Sequence, residues 1–476
     1  MKATFIGHQS WLISSKKTYI LIDPLLKSVF GASERSFCSI FPFRNIDIAE
    51  MPKIDAIFLS HEHADHFCIE SLNEISPKPP VYVGALMLNN VKYACKKMGY
   101  DVKIVNELTP ITIGSIKITL FHADQSTPYW ENRVYQLLFE DLNSEASFFL
   151  AVDAAMSSNY EGMIERNDKK KPDIVAVSNN AQITDYGRRS AFENALSLES
   201  EVPAKNGPAL LNVYDQLLVS YLKGLPEIEN IAICGGGFIK GTEDLSPPPF
   251  SDGALIVEKL NHVFSSGKIW NLIPGQVISI KNHIVSTAQR VSWITLTTKD
   301  KIIEDFGLPK PVSTEKLFYP YIQEEITECE LSDAKIRIRQ CIEDMLPGIL
   351  LSEPGKFAFN RYIISNNFSP QIDFIFSTPD LNISFKLSVD LCTGSISESH
   401  SSCTAPSKVT MFISDFIAVL DGAVEIWDLT GSSVKIEYEN ENCNPIPFFY
   451  AYFGEHNQQN LAIKMVDKKI SMGGRK

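Results

Sequence analysis

Three imidazoles and a carboxylate fall within positions 61–66 of the stretch Ser60-His61-Glu62-His63-Ala64-Asp65-His66. Borderline-soft divalent metals take their ligands from this set of side chains. The preceding Ile54-Asp55-Ala56-Ile57-Phe58-Leu59 is apolar enough for a buried strand, and the polar cluster begins where that strand must end. A tight turn there can aim His61 and His63 one way and Asp65 and His66 another, so one loop can serve two adjacent metal positions. With nine histidines in 476 residues, composition alone does not bring three of them together. The stretch reads as a metal site.

The elements that must position this loop follow the same logic. Strands are predicted over 3–6 and 11–13, then a Ser-Ser-Lys-Lys turn and a strand over 19–22 that stops at Asp23-Pro24. Gly7-His8 interrupts the first arm. Residues 27–50, rich in Phe and Ser, read as a loop bordering a cleft. A turn at Pro77, Pro79 and Pro80 leads to a strand over 81–83, a helix over 85–98 and a strand over 102–105. Residues 116–121 alternate and stop at His122-Ala123-Asp124, and 148–152 run apolar and stop at Asp153. Chemically competent residues thus recur at the C-terminal ends of strands, where a rigid element hands over to a variable loop.

Residues 286–345 contain a break at Gly307-Leu308-Pro309-Lys310-Pro311 and a short helix over 333–345. They read as a helical linker between a domain of residues 1–285 and an α+β accessory domain of residues 346–476. In the latter, antiparallel strands are predicted over 357–364, 372–376 and 383–389, with a further strand over 434–438. A helix is predicted over 407–420, because Val409, Phe412, Ile413, Phe416, Ile417 and Leu420 form one apolar face, ended by Asp421-Gly422. The tail 472–476 is expected to fray.

Hydrophobic residues at 44% and charged residues at 21% are those of a globular protein, and the length calls for two or three domains. The net charge of −13 argues against a nucleic-acid partner. The nine cysteines are scattered with no Cys-x-x-Cys pair, which suits free thiols in a reducing compartment. No leader opens the chain and no apolar run reaches membrane-spanning length, so a cytoplasmic location is expected.

In their order these motifs resemble the metallo-β-lactamase superfamily, and within it the UlaG-like branch of metal-dependent hydrolases. The likeness rests on Phe5-Ile6-Gly7-His8-Gln9-Ser10-Trp11-Leu12-Ile13 with Ile20-Leu21-Ile22-Asp23-Pro24, on the 60–66 cluster, and on Phe121-His122 and Val152-Asp153. It extends to Gly235-Gly236-Gly237-Phe238, a helix near 252–266 and Ile273-Pro274, covering residues 1–285. It implies an α/β fold, an αββα sandwich of metallo-β-lactamase type with a second, smaller α+β domain. It also implies that His61, His63 and His122 hold one metal, that Asp65 and His66 contribute to a second, and that Asp153 bridges. Asp23 would fix an imidazole from behind, and His8 would line the site. Read locally, Asp153 also suits a helix N-cap, and Asp23 an Asp-Pro turn.

Two-metal members of the family place a final histidine after Ile-Pro, whereas Gly275-Gln276 follows here. The amide of Gln276 ligates zinc poorly, so one tight metal with a weak second, or a mononuclear centre, is expected. His283 and Asp124 are the makeshift ligands nearby. The resemblance implies a hydrolase in which metal-bound hydroxide, oriented by Asp65 and Asp153, attacks an ester-type small molecule: a phosphodiester, lactone or sulfate ester. Asp65 or His66 could act as general base. One or two divalent ions per chain are expected, zinc foremost, with manganese or iron as alternatives. In the insert 180–225, Tyr186, Arg188, Arg189 and Lys205 would suit an anionic substrate, though an arginine pair equally suits a solvated face.

The region 350–460 resembles the sterol-carrier-like fold through its strand set, Ser414-Asp415-Phe416 and Gly422, with plain core the simpler reading of the apolar helix face. Two rivals to hydrolysis stand. One is an iron-dependent oxygenase, through resemblance to the metallo-β-lactamase-like part of CMP-N-acetylneuraminate hydroxylase, although that family's Rieske pairing of Cys and His is absent here. The other is a non-catalytic metal-binding module.

Overall fold

In the strand Ser10–Ser15, Trp11 and Ile13 enter one hydrophobic core and Leu12 another. This two-residue alternation recurs along the neighbouring strands and writes the layers of the fold. A computed structural model of the chain describes residues 1–33, 36–40, 42–63, 65–123, 134–152, 154, 156–178, 228–235, 238–240, 257, 267–305, 326–351, 371–380, 382–398, 405–422, 434–439 and five positions between 463 and 471.

One sheet has eight strands in the order Ile284–Ala288, Val277–Lys281, Lys2–Gly7, Ser10–Ser15, Thr18–Ile22, Ala56–Leu59, Val81–Gly84 and Val102–Val105. Its hairpin part is antiparallel, and it turns parallel from Thr18–Ile22 onward. A second sheet has seven strands: Ile111–Ile113, Ile116–His122, Tyr135–Asp141, Ser147–Leu150, Ile174–Ser178, Asn230–Cys234 and Lys268–Asn271. Between the sheets lie Phe5, Trp11, Ile13 and Phe58 of the first and Ile118, Phe139, Phe148 and Leu150 of the second. Trp11 meets Phe148 at 5.0 Å between ring centroids, and Phe58 meets Phe139 at 6.4 Å.

The outer face of the first sheet packs Leu12, Leu21 and Ile57 against Leu72, Val91 and Ala94 of the helices Ile69–Glu74 and Asn89–Lys97. The outer face of the second packs Phe121 and Phe149 against Tyr160 of the helix Ser158–Glu165, with Phe149 and Tyr160 stacked at 4.4 Å. Burial on both faces explains why these strands read as near-continuous apolar runs. The arrangement is the αββα sandwich expected.

Several local expectations are corrected. Residues 27–50 are not a plain loop: they carry the strands Phe30–Ser33, Ser36–Ile40 and Arg44–Ile46 and a short 3-10 turn Ile48–Glu50. Arg44–Ile46 pairs with Ile294–Leu296, and Ile284–Ala288 pairs with Val277–Lys281, so strand pairing with the front part of the chain runs past residue 285. The helix expected over 333–345 extends over Glu328–Leu351.

The helix expected over 407–420 divides into a strand Ser407–Phe412 and a helix Ile413–Leu420. Ser407, Val409 and Met411 are buried in alternation, and the segment is paired on both sides, parallel to Gln371–Ser377 and antiparallel to Val434–Tyr438. Two ladders and β-branched Val409 and Thr410 outweigh the helical spacing. With Ser384–Asp390 and Ile396–Glu398 these strands form a five-stranded sheet.

The strand expected over 357–364, the helix near 252–266 apart from Val257, the insert 180–225 and the tail 472–476 lie outside the described residues. Among the described residues no helix is long and apolar enough to cross a membrane. Six described cysteines are in no disulfide: Cys68, Cys95, Cys234 and Cys341, all buried, and Cys329 and Cys392, both exposed.

Candidate metal centre

Parallel pairing of Thr18–Ile22 with Ala56–Leu59 brings Asp23 and Ser60 out side by side at the sheet's edge. The Asp23 N–H donates to Phe58 O at 3.0 Å. Its carboxylate accepts from the Ser60 N–H on Oδ1 (2.8 Å), and from the Ser60 hydroxyl (2.6 Å) and His66 Nδ1 (2.8 Å) on Oδ2. Because the single Ser60 hydroxyl proton goes to Asp23, His61 Nδ1, 2.9 Å from Ser60 Oγ, must be the donor there. Both imidazoles therefore carry a proton on Nδ1, which leaves Nε2 as the atom a metal would take. Asp23 and His66 are fully buried and His61 nearly so.

The loop beyond folds back on itself, with the N–H groups of His66 and Phe67 donating to His63 O at 2.9 and 2.7 Å. The ring of His61 thereby lies 4.4 Å from that of His63 and 4.0 Å from that of His66.

His8 arrives from the end of Lys2–Gly7, and its carbonyl accepts from the Gly235 N–H at 2.8 Å. Its Nε2 lies 2.8 Å from Asp65 Oδ2, and His66 Nε2 lies 3.6 Å from the same oxygen. One ligand atom from each of His8, Asp65 and His66 falls within 4.8 Å of the others, the one such group among the described residues. Burial works to raise the Asp65 carboxyl. The charge of His66, the hydrogen bond and charge of His8 and the charge of His63 outweigh it and hold the group well below the usual carboxylate range.

Backbone strain gathers at these strand ends. His8 has φ of 55°, Asp23 of 42° and Val152, just before Asp153, of 56°. Each such non-glycine residue costs on the order of 1–3 kcal/mol, held in place by its surroundings. Arg44, 1% exposed, braces two of these turns: its Nε donates to Ile6 O at 2.7 Å and its Nη2 to Leu25 O. Gly7 is required beside it, because φ is 127° and a Cβ would stand 2.8 Å from Arg44 Nε.

His122 does end its strand next to the loop, opposite Tyr135, whose N–H donates to Ser60 O at 3.3 Å. Its ring, however, goes elsewhere: Nε2 lies 3.4 Å from Tyr135 Oη and 3.5 Å from Glu107 Oε2, and Glu107 also accepts its N–H at 2.9 Å. The expected trio His61, His63 and His122 is thus not closed to within 4.8 Å. His8, expected only to line the site, is brought into the ligand group instead.

The Gln276 amide oxygen takes the Ile273 N–H at 3.3 Å, closing its own turn. His283 pairs with Asp173 at 2.8 Å, at the end of the sheet opposite His8, and does not reach the loop. Asp124, Asp153, Arg188 and Arg189 lie outside the described residues. The segment around Asp153 is gripped from below by buried Gln136, whose Nε2 donates to Ala151 O (3.0 Å) and Ala154 O (3.1 Å) and whose Oε1 accepts from the Ser157 N–H (2.8 Å). Sequence reasoning missed Gln136, Arg44 and Glu107, since none sits in a local motif.

The donor set fits a divalent ion. Imidazole nitrogen and carboxylate oxygen are its ligands, and two ligands on one tetrahedral ion stand about 3.3 Å apart. The 3.6 Å between His66 and Asp65 is close to that spacing.

Residues 18–176 match the Beta-lactamase superfamily domain. A UPF0173-family protein of Pyrococcus abyssi is 27% identical over 134 residues, which is 27% of this chain and 50% of that protein. A protein of Mycolicibacterium smegmatis named for a Rieske 2Fe-2S iron–sulfur centre is 33% identical over 84 residues, 17% of this chain and 15% of that protein. The chain thus spans half or less of the length of these curated relatives. Among solved structures, the isothiocyanate hydrolase from Delia radicum gut bacteria is similar with a TM-score of 0.40 and 17% identity, over 59% of this chain and 100% of that one.

Proposed function

We propose that the protein is a metal-dependent hydrolase of the UlaG-like branch, acting on an ester-type small molecule, a reading supported by the match of residues 18–176 to the Beta-lactamase superfamily domain and by the two-sheet sandwich. The observation that carries the reading is the locked pair His61 and His66, each tied at Nδ1 through Ser60 or Asp23 with their rings 4.0 Å apart. Nothing in a plain structural core calls for two buried imidazoles held in that tautomer. His61 and His63 would hold one ion, Asp65 and His66 would contribute to a second, and Asp153 follows as the bridging carboxylate by its place in the sequence. An imidazole-rich set favours zinc over harder ions. When bound, such an ion supplies Lewis acidity that brings the pKa of water down to about 7.

The chain's own residues supply the remainder. Asp65 stays ionised and accepts a hydrogen bond from the attacking water, fixing its direction. Asp23 and Ser60 keep the imidazoles from rotating. The described cysteines, in no disulfide, support a reducing compartment such as the cytosol.

The test is metal content counted per chain on freshly purified protein, followed by turnover on phosphodiester, lactone and sulfate-ester panels. His61→Ala should abolish metal and activity together. Metal-loaded protein that hydrolyses none of the panel, an active His61→Ala variant with full metal, or iron accompanied by oxygen uptake would each overturn the reading.

A further inference from the structure

We propose that His8 is a metal ligand, completing with Asp65 and His66 a three-residue site separate from that of His61 and His63. The proposal rests on the metal reading above but not on the hydrolysis.

Two independent strand ends converge to make this site. Asp65 and His66 belong to the loop after Ala56–Leu59, and His8 comes from the end of Lys2–Gly7, 57 residues earlier than Asp65. Among the described residues, the two others considered for the place are engaged elsewhere: Gln276 closes its own turn and His283 pairs with Asp173 across the sheet. The atoms are also the right ones. Asp23 holds the proton of His66 on Nδ1, so Nε2 is its ligating atom, and it is Nε2 of His8 that meets Asp65 Oδ2. The 2.8 Å separation there is shorter than the roughly 3.3 Å between two ligands of a tetrahedral ion, as it should be where a shared proton stands in place of a cation. Exchange of that proton for a divalent ion requires the two atoms to part by about half an ångström.

The backbone argues the same way. His8 is held at φ of 55° between Gly7, at φ 127°, and a bridge to Gly235. That conformation turns the His8 ring back toward Asp65, bringing Nε2 to 2.8 Å from Oδ2.

Two variants test ligation directly. His8→Asn retains a side chain that tolerates the left-handed region and removes the imidazole. It should bind the metal of this position more than about 100-fold more weakly than wild type, beyond the 10–100-fold that loss of a supporting contact costs. His8→Cys, loaded with cobalt(II), should show a thiolate-to-cobalt charge-transfer band in the near ultraviolet that wild type lacks. Elemental analysis and titration with cobalt(II) or zinc alone supply both readouts without any substrate. His8→Asn binding metal within tenfold of wild type at every position, or His8→Cys holding its full cobalt with no such band, overturns the proposal. If His8→Cys does not fold, the His8→Asn titration decides alone. A protein that passes these tests yet hydrolyses no ester keeps the site and loses the proposed activity.

Discussion

Asp23 Oδ2 lies 2.8 Å from His66 Nδ1, and neither side chain is exposed to solvent. The contact is between two strand ends 43 residues apart, and it decides which nitrogen of His66 faces the metal. Replacing Asp23 by Asn keeps the shape but offers an amide that can also donate, so His66 can take the other tautomer. The expected loss in metal affinity is about 10–100-fold with the fold retained. Asp23→Ala goes further, because the Ser60 N–H and hydroxyl lose their acceptor in a dry site, at about 1–3 kcal/mol for each group left unsatisfied. Metal titration with a denaturant melt on each variant checks both. Wild-type affinity in Asp23→Asn would show that the tautomer is fixed by something else.

Gln136 acts on the segment that follows the strand Ser147–Leu150. Three of its hydrogen bonds, to Ala151 O, Ala154 O and the Ser157 N–H, span the segment that carries Val152, at φ of 56°. Gln136→Glu keeps only the acceptor function toward Ser157 and places charge in a fully buried position, whereas Gln136→Leu loses all three. Each should lower the unfolding free energy by about 2–4 kcal/mol, from backbone groups left unpaired. Each should also weaken metal binding through Asp153. A variant that is destabilised but binds metal as wild type does would separate the segment from the metal centre and refute this prediction.

Much of this was legible in the sequence, and the parts that were not share a cause. The sandwich strands declare themselves by alternation, as Trp11 and Ile13 do against Leu12, and the 60–66 cluster is local enough to be read from spacing. Residues 407–412 misled because Val409 and Phe412 stand at helical spacing while Ser407, Val409 and Met411 fit a strand period equally well, and the strand that decides, Gln371–Ser377, is far away in sequence. His122 was placed correctly at a strand end, but its ring direction depends on Glu107, 15 residues earlier. His8 is a lone imidazole without a pattern, and only folding shows what it meets. Gln136 and Arg44 bind backbone carbonyls, which leave no mark on side-chain composition.

Away from the centre, Asp141 should govern acid stability. Burial works to raise its carboxyl, but the Asn143 N–H at 3.0 Å, the Ser144 hydroxyl at 2.8 Å and further donors from Ser15 and the Asn143 amide outweigh it, and the group lies below the usual carboxylate range. An unfolded aspartate takes up its proton near pH 3.9, whereas native Asp141 stays ionised to lower pH. Between those two values the unfolded chain binds more protons, so acid favours unfolding. The stabilisation is therefore complete above about pH 5 and is lost as pH falls through the native value. Asp141→Asn removes this dependence: its unfolding free energy should be about 1–3 kcal/mol lower at neutral pH and fall less steeply below about pH 4. Urea melts of both proteins between about pH 7 and pH 2.5 measure the difference, and curves that stay parallel over that range would assign the acid sensitivity to another group.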